Sequence, residues 1–252
     1  MYTPRRKYIL TFLEQNHEGS ISELAQKLNV SSMTIRRDIE FLAKQGLVTQ
    51  IRGGVTLNHG AAFLHSQSLR KTLHINEKYR IAKYCVELIP EGSSIFIDCG
   101  STTNQIAEEI LQKKNLTVLT NSLDVAQALS TSKSLKVIMV PGVFSPLTRG
   151  FMGQFASDFI KNFTIDFLFL GANGIDITHG LSSPDYTDAG TKKTLIQHSK
   201  KVIVAADHSK LDLNFFIRIA KLDEIDLIVT DKAADAQIIE NYRVTGTKVV
   251  LV

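Results

Sequence analysis

Two domains of different build are predicted by this sequence. The first is an N-terminal winged helix-turn-helix, mostly α, over residues 1–57. The second, over residues 77–252, is a C-terminal α/β domain with a mostly parallel sheet covered by helices, and residues 58–76 form the linker. Three observations carry this reading. Helical apolar stripes in the first 57 residues end in a glycine-centred hairpin. Beyond residue 77, seven short Ile/Val/Leu/Phe runs alternate with helical patterns, and small polar residues follow six of those runs. A chain of 252 residues is long enough for two ordinary domains. A content of 44% hydrophobic and 21% charged residues excludes a disordered chain.

Each N-terminal element has a local reason. Tyr8, Ile9, Phe12 and Leu13 make a helical stripe that Asn16-His17-Glu18-Gly19 breaks. Ser20-Ile21-Ser22-Glu23 reads as a capping box, in which the Ser20 hydroxyl accepts from the Glu23 N–H and the Glu23 carboxylate reaches back. Leu24, Ala25 and Leu28 follow on one face. After a break at Asn29-Val30-Ser31, a third helix starts with Ser31 or Ser32 as N-cap, buries Ile35, Ile39 and Leu42, and ends at Gly46. Its non-core positions are Ser32, Met33, Thr34, Arg36, Arg37 and Asp38. Leu47–Ile51 and Val55–Leu57 alternate as strands around Arg52-Gly53-Gly54, a tight hairpin.

A capped helix, a short turn and a basic helix form the bihelical unit whose second helix enters the DNA major groove. Ser20, Ser31, Ser32 and Thr34 lie at helix starts, where hydroxyls and free N–H groups suit phosphates. Arg36 and Arg37 are expected to meet a guanine edge or a phosphate. Arg52 and Gly53, at the wing tip, are expected at the DNA backbone or minor groove. Charge agrees with this: residues 1–57 hold eight Lys/Arg against five Asp/Glu, whereas the remainder holds 21 against 20.

In the second domain the apolar runs are 94–97, 116–119, 135–140, 166–170, 202–205, 227–229 and 248–252. Helical patterns lie at about 78–89, 103–112, 123–130, 156–162, 188–198 and 233–241. Such near-continuous apolar strands belong to a parallel sheet buried on both faces. The residues after the strands therefore share one rim, where ligands bind in open α/β sheets. Those residues are Asp98 to Thr103, Asn121-Ser122, Pro141-Gly142, Gly171 to Gly174, Asp207 to Lys210 and Asp231, a set suited to a polyhydroxylated ligand. Gly100-Ser101-Thr102-Thr103, opening a helix, reads as a phosphate cradle. No Gly-Lys-Ser/Thr nucleotide loop is present, and Gly171-Ala172-Asn173-Gly174 lacks dinucleotide-fingerprint spacing.

No catalytic group, metal or cofactor is expected. His59, His65 and His74 fit no standard metal spacing and read as surface histidines. Cys85 and Cys99 are too few for a disulfide framework and read as reduced thiols. With no apolar run of membrane length and no signal-peptide pattern near the start, a cytoplasmic protein is expected.

The stretch from Arg5 to Val55 resembles the DNA-binding domain of DeoR-type bacterial transcriptional regulators. Its most specific part is Val30-Ser31, Thr34-Ile35-Arg36-Arg37-Asp38, Leu42, Gly46 and Arg52-Gly53-Gly54-Val55. Residues 77–252 resemble the effector domain of the same family, itself similar to ribose-5-phosphate isomerase, at Asp98–Thr103, Thr120–Ser122, Gly150–Gly153, Asp166–Gly174, Asp188-Ala189 with Lys192, and Asp207 with Ser209-Lys210. The resemblance implies a phosphate held by Ser101, Thr102 and Thr103, and sugar contacts from Asp98, Asn121, Gly142, Asn173 and Lys192. Gly100, Ser122, Gly171 and Lys210 complete the candidate effector set. It also implies a repressor working as a homo-oligomer, dimer or tetramer, on a double-stranded DNA operator, with a sugar phosphate as effector. The isomerases carry acidic residues where this chain has Asn173-Gly174, and an amide is no general base. Unless Asp176 substitutes, a pocket that binds without turnover remains, which sets the sensor reading against a sugar-phosphate isomerase with a DNA-binding appendage.

Overall fold

The computed structural model describes residues 3–16, 18–45, 47–57 and 67–252, divided into two compact units, Met1–Leu73 and His74–Val252. The first unit runs α1 (Pro4–Asn16), β1 (Glu18–Ser20), α2 (Ile21–Lys27), α3 (Ser32–Lys44), β2 (Val48–Ile51), β3 (Gly54–Leu57) and a helical turn α4 (Gln67–Arg70). It is a winged helix-turn-helix. Ile9, Leu10, Leu13, Leu24, Ile35, Ile39, Leu42 and Val55 form its core. Ser20 caps α2 by accepting from the Glu23 N–H at 3.1 Å, and Ser31 caps α3 by accepting from the Thr34 N–H at 3.2 Å. The Glu23 carboxylate does not reach back to complete a box; it lies 3.9 Å from Lys27 Nζ. Asn29, at φ 50°, turns the chain between α2 and α3, a left-handed position that asparagine tolerates.

A strand absent from the sequence reading, β1, makes the wing a three-stranded sheet of order β1-β3-β2. Glycine explains the omission. Pairing Ser20 with Gly54 brings the chains so close that a Cβ on Gly54 would lie 2.7 Å from the Gly19 carbonyl oxygen. A three-residue strand built on glycine carries no alternation to read. The expected helix end at Gly46 lies outside the described residues.

The second unit runs α5 (Ile75–Glu87), β4 (Ser94–Ile97), α6 (Thr103–Glu109), β5 (Leu116–Thr120), α7 (Leu123–Leu129), β6 (Leu135–Met139), β7 (Val143–Ser145), β8 (Gly150–Met152), α8 (Gln154–Ile160), β9 (Phe167–Leu170), β10 (Gly174–Asp176), β11 (Gly180–Ser183), α9 (Tyr186–Gln197), β12 (Val202–Ala205), β13 (Ile217–Ala220), β14 (Leu227–Thr230), α10 (Ala236–Val244) and β15 (Val249–Leu251). All seven predicted apolar runs enter one sheet of order β15-β14-β12-β9-β4-β5-β6, every pair parallel. Alternate residues feed two cores. Phe96, Leu168, Leu170, Val204 and Ile228 join one; Ile95, Ile97, Phe169, Ile203 and Val229 join the other. The strand order reverses between β4 and β9, and that switch point positions the candidate site. Two small antiparallel sheets, β7-β8 and β10-β11-β13, were not legible in the sequence. Among the described residues no helix is long and apolar enough to cross a membrane.

Candidate functional site

On the winged helix, α3 presents Ser31, Ser32, Met33, Arg36 and Arg37 to solvent, with Thr34 half-buried. Asp38, expected on that exposed face, is instead buried at 1% exposure, where it pairs with Arg5 Nε and, at 2.7 Å, with Arg6 Nε. Arg6 also lies 3.8 Å above the Phe41 ring. Two of the N-terminal charges are therefore spent on holding α1 to α3. Arg52 and Gly53 are exposed at the wing tip, with Gly53 at φ 80° and its carbonyl accepting from the Ile21 N–H at 3.2 Å. Ser20 is half-buried, its hydroxyl already engaged as a cap, in a shallow cleft that it shares with Glu18, Glu23 and the wing tip.

At the switch point of the second unit the first crossover loop meets the fourth. Gly171 N–H donates to Asp98 Oδ2 at 3.2 Å, and a Cβ on Gly100 would stand 3.8 Å from Gly171 Cα. Lys192 Nζ, from α9, reaches Asp188 Oδ2 at 3.0 Å and Asp98 Oδ2 at 3.5 Å, with all three side chains buried. Ser183 donates to Asp188 Oδ2 at 2.9 Å, and Asn173 Nδ2 donates to the Ser183 hydroxyl at 3.2 Å. Asn121 Oδ1 accepts from the Cys99 N–H at 3.0 Å, and Ser122 donates to Asn104 Oδ1 at 3.0 Å. The structure thus joins Asp98, Gly100, Asn121, Gly171, Asn173 and Lys192 around one place. Ser101, Thr102 and Thr103 follow directly and are buried; the Thr103 hydroxyl donates to the Asp98 carbonyl at 2.6 Å. Gly142, beyond β6, is closely packed: a Cβ there would meet Met152 N and O, both at 2.8 Å. It lets β7-β8 fold back on the sheet edge.

Burial raises the Asp98 carboxyl, and Lys192 only partly offsets that. Burial alone would lower the Lys192 ammonium, but Asp188 and Asp98 outweigh it and hold it above an ordinary lysine. Asp98 Oδ1 is buried with no hydrogen-bond partner, an arrangement that costs stability unless a donor arrives. Cys99, packed under Gly150, is pushed well above the usual thiol range by burial and by Asp98, and burial alone pushes Cys85 up to about 12. Both thiols are free, buried and not activated. Asp176, the possible replacement base, caps the β10–β11 turn through the Thr178 and His179 N–H groups at 2.8 and 2.7 Å. Its carboxylate is thereby committed to that turn.

Lys210 stands apart. It follows β12, two strands from β4, or about 10 Å along the rim. There Asp207, fully buried, faces Lys78 Nζ at 3.1 Å and accepts from the Ser209 hydroxyl at 2.5 Å. Burial would raise its carboxyl, but Lys78, Lys210 and His74 bring it far below the usual range. Next to it, His208 Nδ1 lies 2.9 Å from Asp231 Oδ1. His74, expected as a surface histidine, is half-buried with its ring 4.7 Å from that of His208. His59 and His65 lie outside the described residues, and among those described no group of three or more His, Cys, Asp or Glu is arranged to hold a metal.

The hydrogen bond to Asp231 raises the His208 pKa, so its contribution to stability is complete below about pH 6.5 and fades as pH rises through the folded value. His208→Gln is expected to lower stability by on the order of 1 kcal/mol at pH 6 and by less at pH 8.5. Thermal unfolding of both proteins across that range checks this, and a gap independent of pH refutes it.

The sequence reading noted Asp188 beside Lys192 in the family resemblance without giving it a role in the site, although its spacing of four from Lys192 on one helix was available. It missed Lys78 and Ser183, whose roles depend on strand order.

A winged helix joined in one chain to an open parallel sheet with a buried polar switch point defines a DNA-binding regulator with its own sensor. Residues 5–61 match the DeoR-like helix-turn-helix domain, and residues 73–232 match the DeoR C terminal sensor domain. The chain belongs to the DeoR family of transcriptional regulators. It is 35% identical over 235 residues to the glycerol-3-phosphate regulon repressor of Escherichia coli (strain K12), covering 91% of this chain and 90% of the relative. It is also 35% identical over 216 residues to the HTH-type transcriptional regulator IolR of Bacillus subtilis (strain 168), covering 86% of each. Among solved structures, ribose 5-phosphate isomerase A of Methanocaldococcus jannaschii superposes on 53% of each chain with a TM-score of 0.40 and 17% identity.

Proposed function

We propose that this protein is a cytoplasmic repressor of genes for sugar or polyol phosphate metabolism, with residues 1–57 reading DNA and residues 77–252 binding a phosphorylated effector. The observation that carries the effector reading is the buried cluster at the switch point, with Asp98 Oδ1 left unpartnered. A carboxylate pair sharing one lysine repels a phosphate but accepts from hydroxyls. The polyol end of the ligand therefore faces Asp98, Asn121, Asn173 and Lys192, with Ser122, Gly142 and Gly171 shaping the walls. The phosphate lies at Gly100-Ser101-Thr102-Thr103, and Lys210 adds longer-range positive charge from two strands along the rim. Two relatives, the glycerol-3-phosphate regulon repressor and a putative aga operon transcriptional repressor, favour this ligand class by the regulons they are named for.

On DNA, Arg36 and Arg37 with Ser20, Ser31, Ser32 and Thr34 enter or flank the major groove, and Arg52 with Gly53 contacts the backbone from the wing. A homo-oligomer, dimer or tetramer, places two such units on a repeated or palindromic operator. The effector shifts the population between DNA-competent and incompetent states by its difference in affinity for the two.

The test is a thermal-shift and operator-binding panel of glycerol 3-phosphate, pentose 5-phosphates and hexose 6-phosphates. A cognate ligand at 100 times its Kd adds about 2.7 kcal/mol, or roughly 5–11 °C, and changes operator affinity. Absence of any shift across the panel, or binding to operator DNA no tighter than to random DNA, would overturn the reading.

A further inference from the structure

We infer that Met33 reads the C5 methyl group of a thymine in the major groove, an assignment that rests on α3 being the DNA-reading helix. A single exposed apolar side chain is ordinary on a protein surface. The place of this one is not. Met33 is the second residue of α3 and is 59% exposed. It stands nine residues before Leu42, about two and a half turns at 3.6 residues per turn, and Leu42 is fully buried. Met33 therefore heads the face opposite the packed one. That face continues through Arg36, Arg37, Glu40 and Lys44, all charged and all exposed.

The first turn of α3 has few groups to offer a base. The Ser31 hydroxyl accepts from the Thr34 N–H at 3.2 Å and lies 2.9 Å from the Thr34 hydroxyl, so both hydroxyls are engaged in the cap. Ile35 is buried in the core. Ser32 and Met33 are the exposed residues of that turn, and the N-terminal residues of a recognition helix are the ones that contact base edges. A serine hydroxyl bonds to donors and acceptors alike and discriminates little. Methionine is unbranched, adaptable and at most a weak acceptor. Base pairs line the major groove with hydrogen-bond donors and acceptors, and the thymine methyl is the apolar group among them. Over a G·C pair the Met33 side chain would strip water from polar edges and replace none of its hydrogen bonds. Over a thymine it buries a methyl group instead, and this preference is one that Arg36 and Arg37 cannot supply.

The experiment uses the full chain, which first selects its preferred duplex from a random-sequence library. Each thymine of that duplex is then replaced in turn by deoxyuridine, which keeps the O4 acceptor and the base pairing and removes only the methyl. For the wild type, one such replacement is expected to weaken binding about fourfold, the effect of one methyl group left unburied. Met33→Ala is expected to bind the thymine and deoxyuridine duplexes equally. Its melting temperature and salt slope are expected to match the wild type, because an exposed apolar side chain neither holds the core nor releases counterions. A deoxyuridine effect that persists in Met33→Ala, or a wild type indifferent to every methyl, overturns the proposal and leaves α3 as the reading helix. A library from which no sequence is enriched overturns both.

Discussion

Lys192→Met is expected to cost the sensor unit about 3–5 kcal/mol at pH 7.5, because it leaves the buried carboxylates of Asp98 and Asp188 without their shared cation. For a unit of this size that is a fall in Tm of about 6–20 °C. Methionine nearly matches the length of the lysine stem, so the loss reports charge more than volume. The pH dependence has a definite sign. The Asp98 pKa is already raised by burial, and removing the lysine raises it further. A carboxyl whose folded pKa exceeds its unfolded one gains stability as pH falls through the folded value. The deficit is therefore expected to shrink toward pH 5, and Asp98→Asn added to Lys192→Met is expected to restore part of the stability at neutral pH. Calorimetry of the three proteins at both pH values decides it, and a deficit that stays constant with pH refutes the ionic account.

Arg37→Ala is expected to weaken operator binding and to flatten its salt dependence by about one unit of slope, the signature of one lost phosphate contact. The structure sharpens this expectation. Arg5 and Arg6 share the single carboxylate of buried Asp38, whereas no ion-pair partner of Arg36 or Arg37 is found among the described residues. Substituting Arg5 is accordingly expected to lower thermal stability with the slope unchanged. Should Arg37→Ala keep the slope and relax sequence preference at one base pair, the side chain reads a guanine edge instead, at about 1–3 kcal/mol. Titrations by fluorescence anisotropy between 50 and 200 mM salt separate the outcomes.

What the sequence revealed and what it hid divide along the range of the forces involved. The seven apolar runs, the cap at Ser20 and the buried stripe Ile35, Ile39 and Leu42 are local patterns, and all were legible; the cap of α3 was narrowed to Ser31 or Ser32, and the structure selects Ser31. Asp98 and Gly171 were legible as parts of a rim of polar strand ends and Lys192, on α9, only through the family resemblance, while the strand order that makes Asp98 and Gly171 touch was not legible. Asp38 was misplaced because its partners lie 33 and 32 residues away, at Arg5 and Arg6, and helical periodicity alone leaves it on the polar face. The strands β1, β7 and β10 are three residues long and hold or adjoin glycine, so neither alternation nor hydrophobic density marks them. Lys78 resembles any lysine on a helix until β12 delivers Asp207 beside it.

The pairing of Ile95 with Phe167 at the middle of the sheet has a consequence for how the chain is made. The centre of the sensor closes only when strands some seventy residues apart in the chain meet, an arrangement of high contact order that folds slowly. The winged helix lies within a compact unit that ends at Leu73, so it leaves the ribosome first. During synthesis there is an interval in which the reading head exists without any ability to respond to metabolite, so a truncated product would hold a single head without its control.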